Sequence, residues 1–218
     1  HQALQVRKLK NALTKTKPFK LHADNLDALV FRVLVEADVL DRSMSDFLYR
    51  DRTQLSVYAK GLVGLAYQSS GQQQRLAMII RNIDQFLQQD DENQTAWLQL
   101  PESTHWWRWY GNEVEANAIY LKLLALTDPN GVRASRLVKY LLNNRRHATY
   151  WNSTRDTALC IESLAEYLDR SGESTPDVTI DVLIDGKLAK SVKVNSENLF
   201  SFDNAMVLEG ADVAGGKH

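Results

Sequence analysis

The stretch Trp151-Asn152-Ser153-Thr154-Arg155-Asp156-Thr157-Ala158-Leu159-Cys160 decides how this chain is read. A serine followed three residues later by an acid, ahead of apolar residues at helical spacing, marks a helix start. The spacing predicts a capping box, in which the Ser153 hydroxyl accepts from the third amide and Asp156 reaches back to the cap. Onward from there, Ala158, Ile161, Leu164, Ala165 and Leu168 recur on one helical face. Ser171 to Pro176 is a linker by composition, and beyond it the period changes to two. Val178, Ile180, Val182 and Ile184 alternate with polar residues, then Asp185-Gly186 precedes Leu188, Val192 and Val194. Asp-Gly supplies the positive φ angles of a type I′ turn, so a β-hairpin is expected there, with a third strand over Leu199 to Phe202.

Upstream, the chain reads as helices in pairs. Leu4, Val6, Leu9 and Leu13 suggest a first helix to about Lys15, ended by Pro18. Asp24 or Asn25 caps a second, with Leu26, Leu29, Val30, Val33 and Leu34 on its apolar face. A short helical turn holds Phe47 and Leu48. Another helix starts near Thr53, runs through Leu55, Tyr58, Leu62, Leu65 and Ala66, and breaks at Ser70-Gly71. Leu76, Ile79, Ile80, Ile83 and Leu87 mark the next, to about Asp90. Trp97 to Leu100 and Trp106 to Tyr110, around Pro101, read as two strands of a hairpin or as an ordered loop. Helices resume at Glu113, with Ala116, Tyr120, Leu123 and Leu124, stop at Asp128-Pro129-Asn130-Gly131, and continue over Val132 to Asn143. Successive antiparallel pairs on short turns are the pattern of a helical solenoid or an α/α toroid. The fold class expected is therefore mainly α: a partial α/α toroid followed by a small antiparallel β segment. Three strands with one apolar face do not bury it alone, so the β segment needs partners beyond itself.

Bulk properties narrow the function classes. The chain has 218 residues, 44% hydrophobic and 24% charged, with 26 basic against 27 acidic residues and a net charge of −1. That balance argues against a nucleic-acid binder, and no apolar run is long enough to cross a bilayer. His1 to Lys17 is basic and amphipathic, unlike a signal peptide, so any export signal of a parent protein is expected upstream. The single cysteine, Cys160, excludes an internal disulfide.

Two sets of motifs resemble bacterial α2-macroglobulins. Trp151 to Ala158, followed by Leu164-Ala165-Glu166-Tyr167, is similar to the tryptophan-x-Ser-Thr-x-Asp-Thr motif that opens a late helix of their thioester domain. Trp107-Arg108-Trp109, Asn112 to Ala118, and Leu137 to Arg145 resemble the aromatic loop, the glutamate-led helix and the Leu-Leu-x-x-Arg helix that precede it. Order and spacing agree from about Leu21 to Tyr167. The resemblance implies residues 1–171 as the later helices of that toroid and residues 172–218 as an incomplete piece of a CUB-like β domain. It also implies a parent that is exported, extracellular or periplasmic, and that traps proteases. In the family a protease cuts a bait region, and a Cys-x-Glu-Gln thioester then acylates the prey. The partners implied are the rest of the parent chain and target proteases. No bait region is visible here. The nearest tetrapeptide to the thioester motif is Cys160-Ile161-Glu162-Ser163, whose serine has no carboxamide with which to form the bond.

The chemistry-bearing residues have plainer readings. Cys160, between Leu159 and Ile161, reads as a small buried hydrophobe rather than a nucleophile. The tryptophans Trp97, Trp106, Trp107 and Trp109 offer a carbohydrate or peptide platform, but filling the toroid's end is the preferred reading. His22, His105 and His147 lack a second ligand at metal spacing. Glu113 and Glu115 point to different faces of a helix and suit its first turn; Arg145 and Arg146 suit a helix end. No residue is assigned as catalytic, cofactor-binding or metal-ligating, and no cofactor or enzyme activity is expected. The isolated chain should expose apolar surface where missing partners pack, and so self-associate. The alternatives are an α/α-toroid enzyme (glycosidase or cyclase-like), which needs clustered carboxylates, and a helical-repeat interaction module, which needs a fixed-period motif.

Overall fold

A computed structural model describes residues 20–100, 112–146, 149–173, 175–198, 201–202 and 205–207. The helix expected before Pro18, the aromatic run Trp106 to Tyr110 with His105, and His147 lie outside the described residues.

Helix starts follow cap chemistry. α1 (Asn25–Glu36) has a capping box: the Asp24 carboxylate accepts from the Leu26 and Asp27 amides at 2.9 and 3.2 Å, and the Asp27 carboxylate accepts from the Asp24 amide at 2.9 Å. α2 (Arg42–Arg50) is capped by Asp41. α3 (Val57–Ser69) starts at Ser56, whose hydroxyl accepts from the Ala59 amide, and not at Thr53; Leu55 precedes the helix and is buried. Ser70 to Gln72, with Gly71 at φ +72°, turns the chain into α4 (Gln73–Asp84). α5 (Glu113–Thr127) has a second capping box, from Asn112 and Glu115. α6 (Val132–Asn143) follows the Asp128 to Gly131 turn, and α7 (Thr154–Ser171) begins at Ser153.

The strands are as follows. β1 (Leu87–Asp90) pairs antiparallel with β2 (Thr95–Leu98), with Leu87 opposite Leu98 and Gln88 opposite Trp97. The helix expected to run to Asp90 therefore stops at Asp84, and Leu87 belongs to a strand. β3 (Asp177–Ile184) and β4 (Lys187–Asn195) form the hairpin expected of Asp185-Gly186, which adopt φ +49° and +76°. The third strand is not formed at its described residues: the Ser201 and Phe202 amides donate to Asn198 O, a turn.

The chain is mainly helical, and the helices form two alternating sets. α1, α3, α5 and α7 lie side by side in chain order, each touching the next; α2, α4 and α6 pack on the odd-numbered helix before them. β2 leans on α6. The odd-numbered helices run parallel, because their first turns meet: Asn25 Oδ1 accepts from the Ser56 amide at 3.2 Å, and Asn112 Nδ2 donates to Asp156 Oδ1 at 2.9 Å. This is an arc of an α/α toroid with a small antiparallel β appendage.

Position in the arc sets burial. α3 and α5 have neighbours on both sides and are buried nearly all round, from Val57 to Tyr67 and from Glu115 to Ala125 apart from half-buried Lys122. α1 and α7, at the two ends, bury one stripe and expose another. α1 buries Ala28, Phe31 and Val35, while Leu26 and Val33 are 63% and 54% exposed, with Leu29 and Val30 also exposed. α7 buries Asp156, Cys160, Ser163 and Tyr167, while Ile161 is 56% exposed and Ala158, Ala165 and Leu168 face solvent. Both apolar faces expected from periodicity are thus largely corrected: in each end helix most of the expected stripe points outward, with Leu164 of α7 packed on the core as expected.

α3 and α5 approach closely at two glycines. A Cβ on Gly61 would sit 2.2 Å from Ile119 Cγ2, and one on Gly64 2.7 Å from Leu123 Cδ2. Neither gap admits a methyl group unless the facing Ile119 or Leu123 side chain, or the helix that carries it, shifts. Gly61→Ala is expected to cost about 1–3 kcal/mol by overpacking, read as a lower urea midpoint with an unchanged slope. Full stability in that variant would show that this shift comes at no cost.

Candidate functional site

The motif Trp151 to Thr157 occupies the end of the arc where the odd-numbered helices begin, and each polar residue has a structural task. The buried Trp151 ring donates from Nε1 to Leu141 O at 3.0 Å, closing the C-terminal turn of α6. The Trp151 amide donates to Thr157 Oγ1 at 3.1 Å, and that hydroxyl donates to Ser153 O at 2.8 Å. Ser153 Oγ accepts from the Asp156 amide at 3.1 Å, half of the expected capping box. The other half is absent: Asp156 points inward, is buried, and accepts from the Asn112 carboxamide instead of returning to its own cap. A tertiary bond to the neighbouring helix start thus replaces the local one.

Arg155 extends the same contact. Its Nε lies 2.9 Å from Glu115 Oε1, and the Glu115 side chain is almost fully buried. Its Nη2 donates to Tyr58 Oη at 3.3 Å, with the guanidinium 5.8 Å from the Tyr58 ring centre. One arginine on α7 therefore ties the first turns of α5 and α3. Parallel helices place their positive dipole ends together here, and Asp24, Asp27, Glu113, Glu115 and Asp156 supply the compensating negative charge.

The residues weighed for catalysis are placed apart. Glu115 is committed to Arg155, whereas Glu113 accepts from the Tyr140 hydroxyl on α6, so the two do not face a shared cavity. Cys160 is fully buried one turn below Asp156. Burial, and then the Asp156 charge, push its thiol up to about 12, against the thiolate form a nucleophile needs. Glu162, in the tetrapeptide nearest to a thioester motif, is exposed and paired with Lys122. His22 lies 3.7 Å from Asp51 Oδ2, and no group of three or more potential metal ligands occurs among the described residues. Arg145 donates from Nε to Leu142 O just past the end of α6, the helix-end role expected of it. Trp97 stacks on Tyr140 of α6, with centroids 5.8 Å apart and planes at 17°; its strand pairs with β1, and the Trp106 to Tyr110 half of the expected hairpin or loop lies outside the described residues.

The segment that holds this arrangement matches a family model. The A-macroglobulin TED domain model matches residues 26–167, from the first turn of α1 to the last turns of α7. The match covers nearly two-thirds of the 218 residues. The chain belongs to this family. No curated protein matches it. Within that match, the Trp151 to Thr157 motif forms a latch between helix starts.

Sequence reading missed two polar features. Lys60 on α3 is buried, donates from Nζ to Leu55 O at 2.6 Å, and lies 5.4 Å from the Phe86 ring centre; burial lowers its pKa. A lysine inside the apolar run Val57 to Ala66 was the available signal. Asp84 accepts from the Tyr120 hydroxyl and, at 2.8 Å, from Arg133 Nη1, joining α4, α5 and α6. Those partners are far apart in sequence and carry no local signature.

Two outcomes follow. Arg155→Ala removes the contacts to Glu115 and Tyr58 that tie α7 to α5 and α3 and should cost about 1–2 kcal/mol, discounted because Arg155 is itself partly exposed. Arg170→Ala, which removes an exposed pair with Glu166, should cost under about 0.5 kcal/mol; equal losses in denaturant titrations of the two would contradict the latch. Cys160 should resist a thiol reagent in the native protein and react at the rate of a free thiol in denaturant. Fast native labelling would show an accessible thiolate.

Proposed function

We propose that the chain is the shielding and scaffolding part of an α2-macroglobulin-like protease-trapping protein. On this reading residues 1–171 are the later helices of the thioester-type toroid, and residues 172–218 are strands of the CUB-like domain that follows. The observation that carries it is the pair of open edges. α1 and α7 each hold an outward apolar stripe of the kind that α3 and α5 bury against a neighbour. Further helices of a longer chain, continuing the arc at both ends, are the natural cover. The β3–β4 hairpin supports the same reading, since Val178 and Ile180 are exposed and suit partner strands from a larger sheet.

The proposed role is non-catalytic. Cys160 is the one cysteine, it is buried, and Ser163 stands where a thioester motif needs glutamine. Any thioester then belongs to another part of the parent, and the arc holds and covers it. The parent is proposed to be extracellular or periplasmic; no described helix is long and apolar enough to cross a membrane. Its partners are the rest of the parent chain and the proteases it encloses.

The gene should be read upstream of the His1 codon, and the full protein incubated with a broad-specificity protease such as trypsin. A Cys-x-Glu-Gln codon run and a protease adduct that survives boiling in detergent are expected. Protease retained without a covalent adduct would keep the trap and remove the thioester. A full-length protein that neither retains nor is compacted by protease would overturn the reading.

A further inference from the structure

A groove of about 240 Å³ lies between the β1–β2 hairpin and the C-terminal end of α6, lined by Asn93, Thr95, Trp97, Tyr140, Asn143 and Asn144. It shares none of its lining residues with the latch at the start of α7. We propose that this groove binds a neutral saccharide, one sugar ring resting against the Trp97–Tyr140 pair.

Three observations carry this. First, the walls combine an aromatic pair with carboxamides, and none of the six lining residues is charged. A pyranose presents an apolar C–H face and a rim of hydroxyls; the first suits an aromatic ring, the second suits groups that both donate and accept. Second, the carboxamides are held before any ligand arrives. Asn93 Nδ2 donates to Asp90 Oδ2 at 2.7 Å, and Asn144 Nδ2 donates to Tyr140 O at 2.9 Å. Each amide thereby commits one N–H and keeps an acceptor oxygen, with Asn143 adding a third exposed carboxamide. Third, the hairpin is fixed over α6. Arg136 Nη1 donates to Asp91 Oδ1 at 2.6 Å and Gln89 Oε1 at 2.9 Å, and the Asp90 carboxylate accepts from the Glu92 and Asn93 amides. A rim fixed in this way loses little freedom on binding. The Tyr140 hydroxyl donates to Glu113, which fixes the second ring.

The test is a titration of the ¹⁵N-labelled chain with chitotriose and, separately, maltotriose, read at the Trp97 indole N–H and the three asparagine side-chain amides. Saturable shifts confined to those signals are expected with at least one sugar. The single variant Asn143→Ala, at an exposed position, should bind several-fold more weakly, from the loss of about one modest hydrogen bond, with an unchanged melting temperature. Trp97→Leu should abolish binding. The inference is overturned if neither sugar gives saturable shifts, if the asparagine variant binds as well as the parent chain, or if an acetylated neutral tetrapeptide shifts the signals and the sugars do not. None of these outcomes bears on the protease-trapping reading, which rests on other surfaces.

Discussion

The arc depends on how closely α3 and α5 approach. Gly61 and Gly64 remove two side chains from the middle of α3, and Ile119 and Leu123 of α5 fill the space. The two helices meet with side chains from α5 alone at these positions, and their other faces carry α1 and α4, and α6 and α7. Both helices are consequently buried on almost every side, and their sequences are apolar all round rather than on one stripe. The glycines supply this close contact at the central step of the arc.

Parallel alignment has an electrostatic consequence at the opposite extreme of scale. Four helix starts converge on one end, each with unsatisfied amides and a partial positive charge. Asp24, Asn112 and Ser153 satisfy amides locally, while Asp156 and Arg155 act between helices. The Trp151 to Thr157 motif thus solves capping and registration with the same few residues. Asp156 illustrates the exchange: its side chain leaves its own capping box incomplete and spends one oxygen on Asn112, while Oδ2 has no partner among the described residues. A buried carboxylate tolerates that arrangement in a helix first turn, where the local field is positive.

Legibility in the sequence followed the range of the interaction. Ser153, Asp24, Asp185-Gly186 and the Val132 to Asn143 helix were readable because caps, turns and single helices are decided within a few residues. Leu87 failed because helical periodicity continued past Asp84, while the actual partner of Leu87, Leu98, lies across a turn. Thr53 failed because it and Leu55 mimic the entry of a helix whose cap is Ser56. The faces of α1 and α7 failed for a more general reason. Periodicity assumes one dry and one wet face, whereas an inner toroid helix has two neighbours and two apolar stripes. Leu26, Leu29, Val30 and Val33 make the stronger stripe of α1, and it faces outward. The Asp84–Tyr120–Arg133 cluster was unreadable because nothing local to any of the three announces the other two.

The same geometry bears on where chemistry can reside in a TED arc of this kind. A thiol that is to form a strained acyl bond must be reachable by its glutamine partner and later by an attacking amine. Cys160 meets neither condition: it is fully buried on the inward stripe of α7, its thiol is pushed up by burial and by Asp156, and the next residues toward the C-terminus are an outward isoleucine and an exposed, paired glutamate. Moving the thiol outward would require rotating α7, which Arg155 and Asp156 hold against α5 and Trp151 holds against α6. The contacts that hold α7 in register against α5 and α6 are therefore also what keep the Cys160 thiol on the inward face of the arc.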